Sequence, residues 1–300
     1  MVEVTLLGCG GGMPTPTRYL SATLLTYNGR KILMDCGEGT QVSMKAIKAG
    51  FKTLDMICIT HLHGDHINGL PGLLATMGNS GRVAPVFIMG PTGIRDVVAA
   101  IKVLVRQLPF EIQIIEHPTE PYSFGEIAIT TLELDHSLSC LGYAFEIKRR
   151  PQFIVAKAIA NGVPQPLWRK LQKEMCPVQW EGKHYLPEMV LGEPRPGIRL
   201  CLITDTRPTA AMIPFIRGCD LLICEGTYGD ARDLDKALKY KHMTFAEAAT
   251  LAQKGAVKQL LLTHFSVSMS DPEAYLHQAK AIFENTELGY DHYTITLNYS

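Results

Sequence analysis

The chain has no excess of charge of either sign. Its 29 lysines and arginines are matched by 29 aspartates and glutamates across 300 residues, a formal net charge of +0. Composition alone therefore announces no polyanionic partner, and affinity for one has to come from a local patch. There is no uninterrupted apolar run of about 18 residues, so no helical membrane span and no membrane partner are expected. Residues 1–7 pass directly into an apolar strand and a glycine loop instead of a signal-peptide pattern, and the expected location is cytoplasmic. The eight cysteines, at positions 9, 36, 58, 140, 176, 201, 219 and 224, form no Cys-x-x-Cys pair. Several lie inside apolar strands, which leaves reduced core thiols as the reading. Internal repeats and low-complexity segments are missing as well.

What is present is enough to bury a sizeable core: 46% of the residues are hydrophobic and 19% charged. Composition allows one domain with an insertion or two domains. The segment with most chemistry is Thr60-His61-Leu62-His63-Gly64-Asp65-His66, directly after the apolar stretch 54–59. At a strand end, side chains alternate with period two, so His61 and His63 project to one side. The turn at Gly64 swings Asp65 and His66 towards a second point. Borderline metals such as zinc accept imidazole nitrogen and carboxylate oxygen, and burying such groups without a partner would be costly. One loop could thus serve two metals.

Further donors follow other apolar runs. Stretch 126–134 reads as a strand finishing in Asp135-His136, 199–204 runs into Asp205-Thr206-Arg207-Pro208, and 259–263 ends at His264. Open sheets place their chemistry just beyond strand ends. His117, His184, His277 and His292 lack this context and are expected to be ordinary residues.

Strand and helix patterns alternate along the chain. A hairpin is predicted to turn at Asn28-Gly29, between residues 22–26 and 31–34. Helices are predicted over 40–48, closed by Gly50, and over 93–107 with Val97, Val98, Ile101 and Leu104 on one face. Late helices are predicted over 244–254, where Thr244 and Glu247 form a capping box, and over 271–283, with Pro272 in the first turn. Periodicity alone supports an α/β class.

Residues 148–173 break this pattern. They carry Lys148, Arg149, Arg150, Lys157, Arg169, Lys170 and Lys173 with no acidic residue among them. Such a patch gains affinity for phosphates by releasing counterions, and Trp168 or Phe153 could stack on bases or simply pack.

The loop from His61 to His66, followed by Asn68-Gly69-Leu70-Pro71-Gly72-Leu73-Leu74, resembles the metallo-β-lactamase superfamily. The similarity runs over nearly the whole chain, from Leu7-Gly8-Cys9-Gly10-Gly11-Gly12-Met13-Pro14 to Leu262-Thr263-His264-Phe265-Ser266. Asp35-Cys36-Gly37-Glu38-Gly39-Thr40-Gln41, Asp205-Thr206-Arg207-Pro208 and Glu225-Gly226-Thr227-Tyr228 narrow it to the ribonuclease Z family of tRNA 3′-processing endonucleases. The resemblance implies an αβ/βα sandwich of two mixed β-sheets with outer helices. It implies a single domain over residues 1–300 with an inserted basic arm at 148–190. Two zinc ions would be held, one by His61, His63 and His136 and the other by Asp65, His66 and His264, with Asp205 bridging. Manganese or iron would suit the same donors.

Asp65 would orient or deprotonate the attacking water. His242, paired with Glu225, would protonate the departing oxygen. The implied reaction removes the 3′ trailer from precursor tRNA, with the arm clasping the tRNA and a homodimer as the working form. In the arm, Gly162-Val163-Pro164 stands where the family usually has Gly-Pro. A hydrolase of small or other phosphodiesters would use the same seven ligands without needing the arm. A non-catalytic RNA-binding or metal-dependent structural protein would keep arm or metals without cutting.

Overall fold

In Val2-Glu3-Val4-Thr5-Leu6-Leu7 every residue except Glu3 is buried, as an interior strand requires, and the segment opens the first sheet of the computed structural model, which describes residues 1–299. Strands β1 (Val2–Gly8), β2 (Ala22–Tyr27), β3 (Arg30–Met34), β4 (Leu54–Cys58), β5 (Val86–Gly90), β6 (Ile112–Glu116) and the last strand, β16 (Thr294–Leu297), form this sheet. Their order is β16-β1-β2-β3-β4-β5-β6. Pairing is antiparallel from β16 to β3 and parallel from β3 to β6. The β2–β3 hairpin turns at Asn28 and Gly29, with φ of 49° and 76°, the left-handed pair that a two-residue turn between right-twisted strands demands.

The second sheet contains β7 (Tyr122–Phe124), β8 (Ile127–Leu134), β9 (Cys140–Arg149), β12 (Arg195–Ile203), β13 (Leu221–Glu225), β14 (Leu260–Thr263) and β15 (Thr286–Leu288), in the order β15-β14-β13-β12-β9-β8-β7. It is also mixed: β12 to β15 run parallel, and β7 and β8 antiparallel. The buried Tyr143 hydroxyl on β9 donates to the Ile59 carbonyl at 2.6 Å, and the Leu141 amide donates to the Thr60 carbonyl at 2.9 Å. The segment leading to His61 is thereby tied to both sheets.

Helices α1 (Thr40–Ala46), α2 (Gly64–Ile67), α3 (Leu70–Asn79) and α4 (Ile94–Leu104) follow strands of the first sheet. Met44, Leu73, Leu74, Met77, Val98 and Ile101 from α1, α3 and α4 share a buried cluster with Leu24, Leu33, Ile57 and Ile88 of the strands. On α4 the buried stripe is Ile94, Val98 and Ile101, while Leu104, expected on that face, is 74% exposed. The helix stops at Leu104, and the half-buried Val105 takes the next inward position. Helix α1 ends at Ala46, two residues short of the predicted span, because Lys48 already adopts φ 56°.

A second unit comprises Ile147–Gly197 together with Tyr299, the remainder of the described chain forming the first. It contains α5 (Val155–Ala160), α6 (Gln165–Glu174) and the hairpin of β10 (Val178–Trp180) with β11 (Lys183–Tyr185). Ala158, Val163, Leu167, Leu171, Val178, Tyr185, Val190 and Leu191 give it a small core of its own. Trp168 packs here against Phe153, ring centroids 5.3 Å apart, and its indole N–H donates to the Val163 carbonyl.

Downstream of β12 lie α7 (Met212–Ile216), α8 (Leu234–Tyr240), α9 (Phe245–Lys254) and α10 (Glu273–Lys280). Thr244 caps α9 as the sequence predicts: its hydroxyl accepts from the Glu247 amide and the Glu247 carboxylate accepts from the Thr244 amide. Pro272 stands at the N-cap of α10, one position before the first turn. Among the described residues no helix is long and apolar enough to cross a membrane.

Candidate metal centre

The loops that follow β4, β8, β12 and β14 converge. Asp35, Asp205 and His264, each directly or almost directly past a strand end, have φ of 58°, 53° and 58°. This left-handed backbone is unfavourable for residues bearing a Cβ, and here it turns three polar side chains back into the molecule. Gly11 lies so close to His264 that a Cβ there would stand 2.4 Å from the imidazole. The glycine loop of the sequence thus lets the backbone close over that ring.

Two groups of donor atoms result. His61 Nε2 lies 2.9 Å from His63 Nδ1, which lies 3.2 Å from His136 Nε2. Asp205 Oδ2 is 3.6 Å from His61 Nε2. In the second group His66 Nε2 and His264 Nε2 are 3.2 Å apart, with Asp65 Oδ2 at 3.6 and 3.4 Å from them. Asp205 Oδ1 faces the same pair at 3.4 and 3.2 Å. One carboxylate therefore offers one oxygen to each group. A tetrahedral ion with ligands at roughly 2.0–2.1 Å holds its donors roughly 3.3 Å apart, close to both arrangements.

The outward ring nitrogens show why these donors suit a cation. His66 Nδ1 lies 2.8 Å from Asp35 Oδ2, an acceptor, so the proton belongs on Nδ1. The Thr60 hydroxyl is spent donating to Asp35 at 2.9 Å and accepts from His61 Nδ1 at 3.1 Å. The Thr227 hydroxyl likewise donates to Glu225 Oε2 at 2.6 Å and accepts from His264 Nδ1 at 3.0 Å. His136 Nδ1 faces the Lys241 carbonyl at 3.3 Å. Four imidazoles thus turn Nε2 inward, where His63 adds Nδ1. Fixing tautomers through outer partners in this way is how metal-binding histidines are held.

Electrostatics agrees. Burial, together with the neighbouring His66, keeps His61 neutral well below the usual imidazole range. Burial alone would lower His66 too, but the charges of Asp205 and Asp35 outweigh it and raise its affinity for a proton. Burial opposes ionisation of Asp205, yet His264, His66 and His61 hold its pKa far below the usual carboxylate value. Asp65 is held low as well, its burial outweighed by His264 and His66, and its Oδ2 accepts from the Gly12 amide at 2.7 Å. The ionised carboxylates of Asp205 and Asp65 make the cluster one that draws in positive charge.

Beside it stands His242, at the turn between α8 and α9. Its Nδ1 is 3.2 Å from Glu225 Oε2 and 3.9 Å from Asp205 Oδ2. Glu225, fully buried at the end of β13, also accepts from the amides of Thr206 at 2.5 Å and Met243 at 3.0 Å. Burial would lower the His242 pKa, but Glu225 and then Asp205 push it up to about 9. A cleft of about 540 Å³ opens over these groups, lined by His63, Asp65, His136, Asp205, His242 and His264. Tyr228, Lys239, Tyr240 and Lys241 also line it.

All seven predicted metal ligands, with His242 and Glu225, are therefore gathered at one place. Asp35, Thr60 and Thr227 orient the ligands and were not singled out from sequence. For Asp35, its position just past the apolar strand β3 was the available signal.

The seven basic arm residues belong to the second unit, and some are engaged within it. Lys157 Nζ donates to the Leu191 carbonyl at 2.7 Å and helps hold the arm together. The Arg149 guanidinium lies over the Tyr299 ring, 5.0 Å from its centroid. The Arg150 carbonyl accepts from Arg195 Nε at 2.8 Å. Lys148, Arg150, Arg169, Lys170 and Lys173 are exposed.

Comparison with known proteins identifies the family. A family model described as "Anti-Pycsar protein Apyc1" matches residues 2–97. Ribonuclease Z of Clostridium beijerinckii is 54% identical over 306 residues, covering 100% of this chain and 99% of the relative. Ribonuclease Z of Clostridioides difficile is 52% identical over 304 residues with the same coverage. Among solved structures, the short form of human tRNase Z superimposes with a TM-score of 0.71 at 26% identity, covering 99% of both chains. The metallo-β-lactamase-fold protein YhfI of Bacillus subtilis gives 0.71 at 19% identity over 98% of both, a likeness of fold.

Proposed function

Since the chain belongs to the ribonuclease Z family and is a tRNA 3′-processing endoribonuclease of the metallo-β-lactamase fold, we propose that its donor cluster would hold two zinc ions and serves cleavage of the phosphodiester joining tRNA to its 3′ trailer. The observation that carries this reading is Asp205, whose two oxygens each face one histidine set. His61, His63 and His136 would hold one ion and Asp65, His66 and His264 the other, with Asp205 between them. Manganese or iron could replace zinc on these donors. Ions held there would supply water that ionises near neutral pH and neutralise charge on the phosphoryl oxygens.

The chain's own groups do the rest. Asp65, kept ionised and turned into the cleft, orients the attacking water or accepts its proton. As the new oxygen–phosphorus bond forms, the bond from phosphorus to the ribose 3′ oxygen breaks. His242 gives its proton to that leaving oxygen, so the tRNA ends in a 3′ hydroxyl and the trailer begins with a 5′ phosphate. Glu225 accepts from His242 Nδ1, which leaves Nε2 to meet the substrate. A pKa near 9 leaves His242 protonated at neutral pH, as an acid must be.

The exposed cations of the arm, Lys148, Arg150, Arg169, Lys170 and Lys173, would hold tRNA phosphates, with Arg149 and Lys157 supporting the arm that presents them. The working form is a homodimer in the cytoplasm, a reducing setting that suits cysteines that are all free among the described residues. The test incubates purified protein with a precursor tRNA and, separately, with bis(p-nitrophenyl) phosphate, while metal content is measured by mass spectrometry. Specific cleavage at the trailer junction with two zinc ions per chain is expected. Turnover of the small ester alone would replace the reading with a small-phosphodiester hydrolase.

A further inference from the structure

His242 sits in a short connection. Lys241 before it adopts φ 57°, and Thr244 two residues later caps α9. The His242 Nδ1 is held 3.2 Å from Glu225, which also accepts from the Met243 amide. A further restraint, on the backbone of this connection, comes from another loop. Arg207, two residues beyond Asp205, places its guanidinium with Nη1 donating to the His242 carbonyl and, at 3.0 Å, to Glu247 Oε2. Its Nη2 donates to Glu247 Oε1, completing a bidentate pair. The same Glu247 carboxylate closes the capping box with Thr244. The Arg207 side chain is only 15% exposed, so the pair is sheltered from solvent. The Arg207 loop is itself anchored: the Thr206 amide donates to Glu225, and the Asp135 amide donates to the Thr206 hydroxyl at 3.0 Å.

We infer that Arg207 is a positioning residue for His242, clamping that residue's carbonyl and the Glu247 cap to the Asp205 loop so that the imidazole stays aimed at the leaving oxygen. It touches neither substrate nor donor cluster; it acts through the backbone of its neighbour. A planar fork is needed, because one guanidinium grips a carboxylate with two nitrogens and reaches a carbonyl as well, which an ammonium cannot do in one fixed geometry. The inference rests on His242 being the proton donor.

The leaving group separates this role from a purely structural one. The ribose 3′ alkoxide needs a proton as it departs, whereas nitrophenolate leaves without one. R207M should slow precursor-tRNA turnover roughly a hundredfold, the scale of a misplaced catalytic group. Turnover of bis(p-nitrophenyl) phosphate should change less than about threefold, with metal content and far-UV circular dichroism unchanged. In a double-mutant cycle, R207M/H242A should be no slower than H242A, because the arginine acts through the histidine. R207K, which keeps the charge, should give an intermediate loss with the same substrate selectivity, and it serves for the test if R207M does not fold. Equal slowing of both substrates by the arginine variants, or full additivity with H242A, overturns the inference. If H242A itself slows both substrates alike, the acid reading of His242 fails first and this inference goes with it.

Discussion

The donor cluster and the basic arm are built on opposite terms. In the cluster each imidazole other than His63 has its outer nitrogen assigned to a named acceptor, and five of the seven ligands are buried. In the arm the core is eight buried residues, and most of the chemistry lies on exposed cations. Bond-making demands donors held to fractions of an ångström, while a polyanion is gripped by charge that tolerates movement. Damage to the first region should therefore be steep and substrate-independent, and damage to the second shallow and RNA-specific.

The largest effect is expected at Asp205. Asp205→Ala removes an oxygen from both donor groups, and precursor-tRNA and nitrophenyl ester turnover should both fall by roughly 10⁴ or more, within the span attributed to enzymic rate enhancement. Bound zinc, read by mass spectrometry, should drop below two per chain. Retention of two ions with modest loss of rate would break the contrast at its strongest point. Next comes Thr227→Val, which keeps the shape but deletes the hydroxyl that orients His264. Zinc affinity, measured by competition with a chromogenic chelator, should weaken roughly 10–100-fold. An unchanged affinity would mean that the outer hydrogen bond does not set the ligand.

In the arm, Leu171→Ala opens a cavity in a small core and should destabilise that unit by about 2–5 kcal/mol, detectable as earlier local hydrogen exchange. KM for precursor tRNA should rise while nitrophenyl ester hydrolysis stays level. A matching fall in ester hydrolysis would erase the distinction between the regions. The smallest effect is Lys170→Ala: a few-fold loss in tRNA affinity and a reduction of about one in the slope of log affinity against log salt if its ammonium meets a phosphate. Lys157→Ala should act differently, loosening the arm more than it changes the salt slope, because its ammonium is committed to the Leu191 carbonyl.

Several of these features are visible in the amino acids alone. His61, His63, Asp65 and His66 stand together in the chain, and His136, Asp205 and His264 each terminate an apolar stretch, so type and context mark them before any fold is known. The β2–β3 turn and the α9 cap are equally local, since Asn-Gly and Thr-x-x-Glu satisfy their own backbone needs within a few residues. Leu104 was misplaced because helical periodicity cannot say where the helix stops, and its exposure follows from that end. Asp35 also stands just past an apolar strand, but nothing along the chain says which ring it meets, and Thr60 and Thr227 carry no such mark. An aspartate or threonine past a strand is ordinary until its partner ring is known, and Arg207 gains its meaning only from a carbonyl and a carboxylate in another loop.

Which side chains can bind a cation and which runs form strands follow from the order of residues alone, because donor chemistry and alternating hydrophobicity are properties of residues and near neighbours. Folding in three dimensions is what brings His66 and His264, 198 positions apart, within 3.2 Å, shares the oxygens of Asp205 between two sets, and sets which nitrogen each imidazole turns inward. Those are facts of through-space geometry. They depend on strand register, on left-handed turns at non-glycine residues and on hydrogen bonds between distant loops, none of which leaves a periodic trace along the chain.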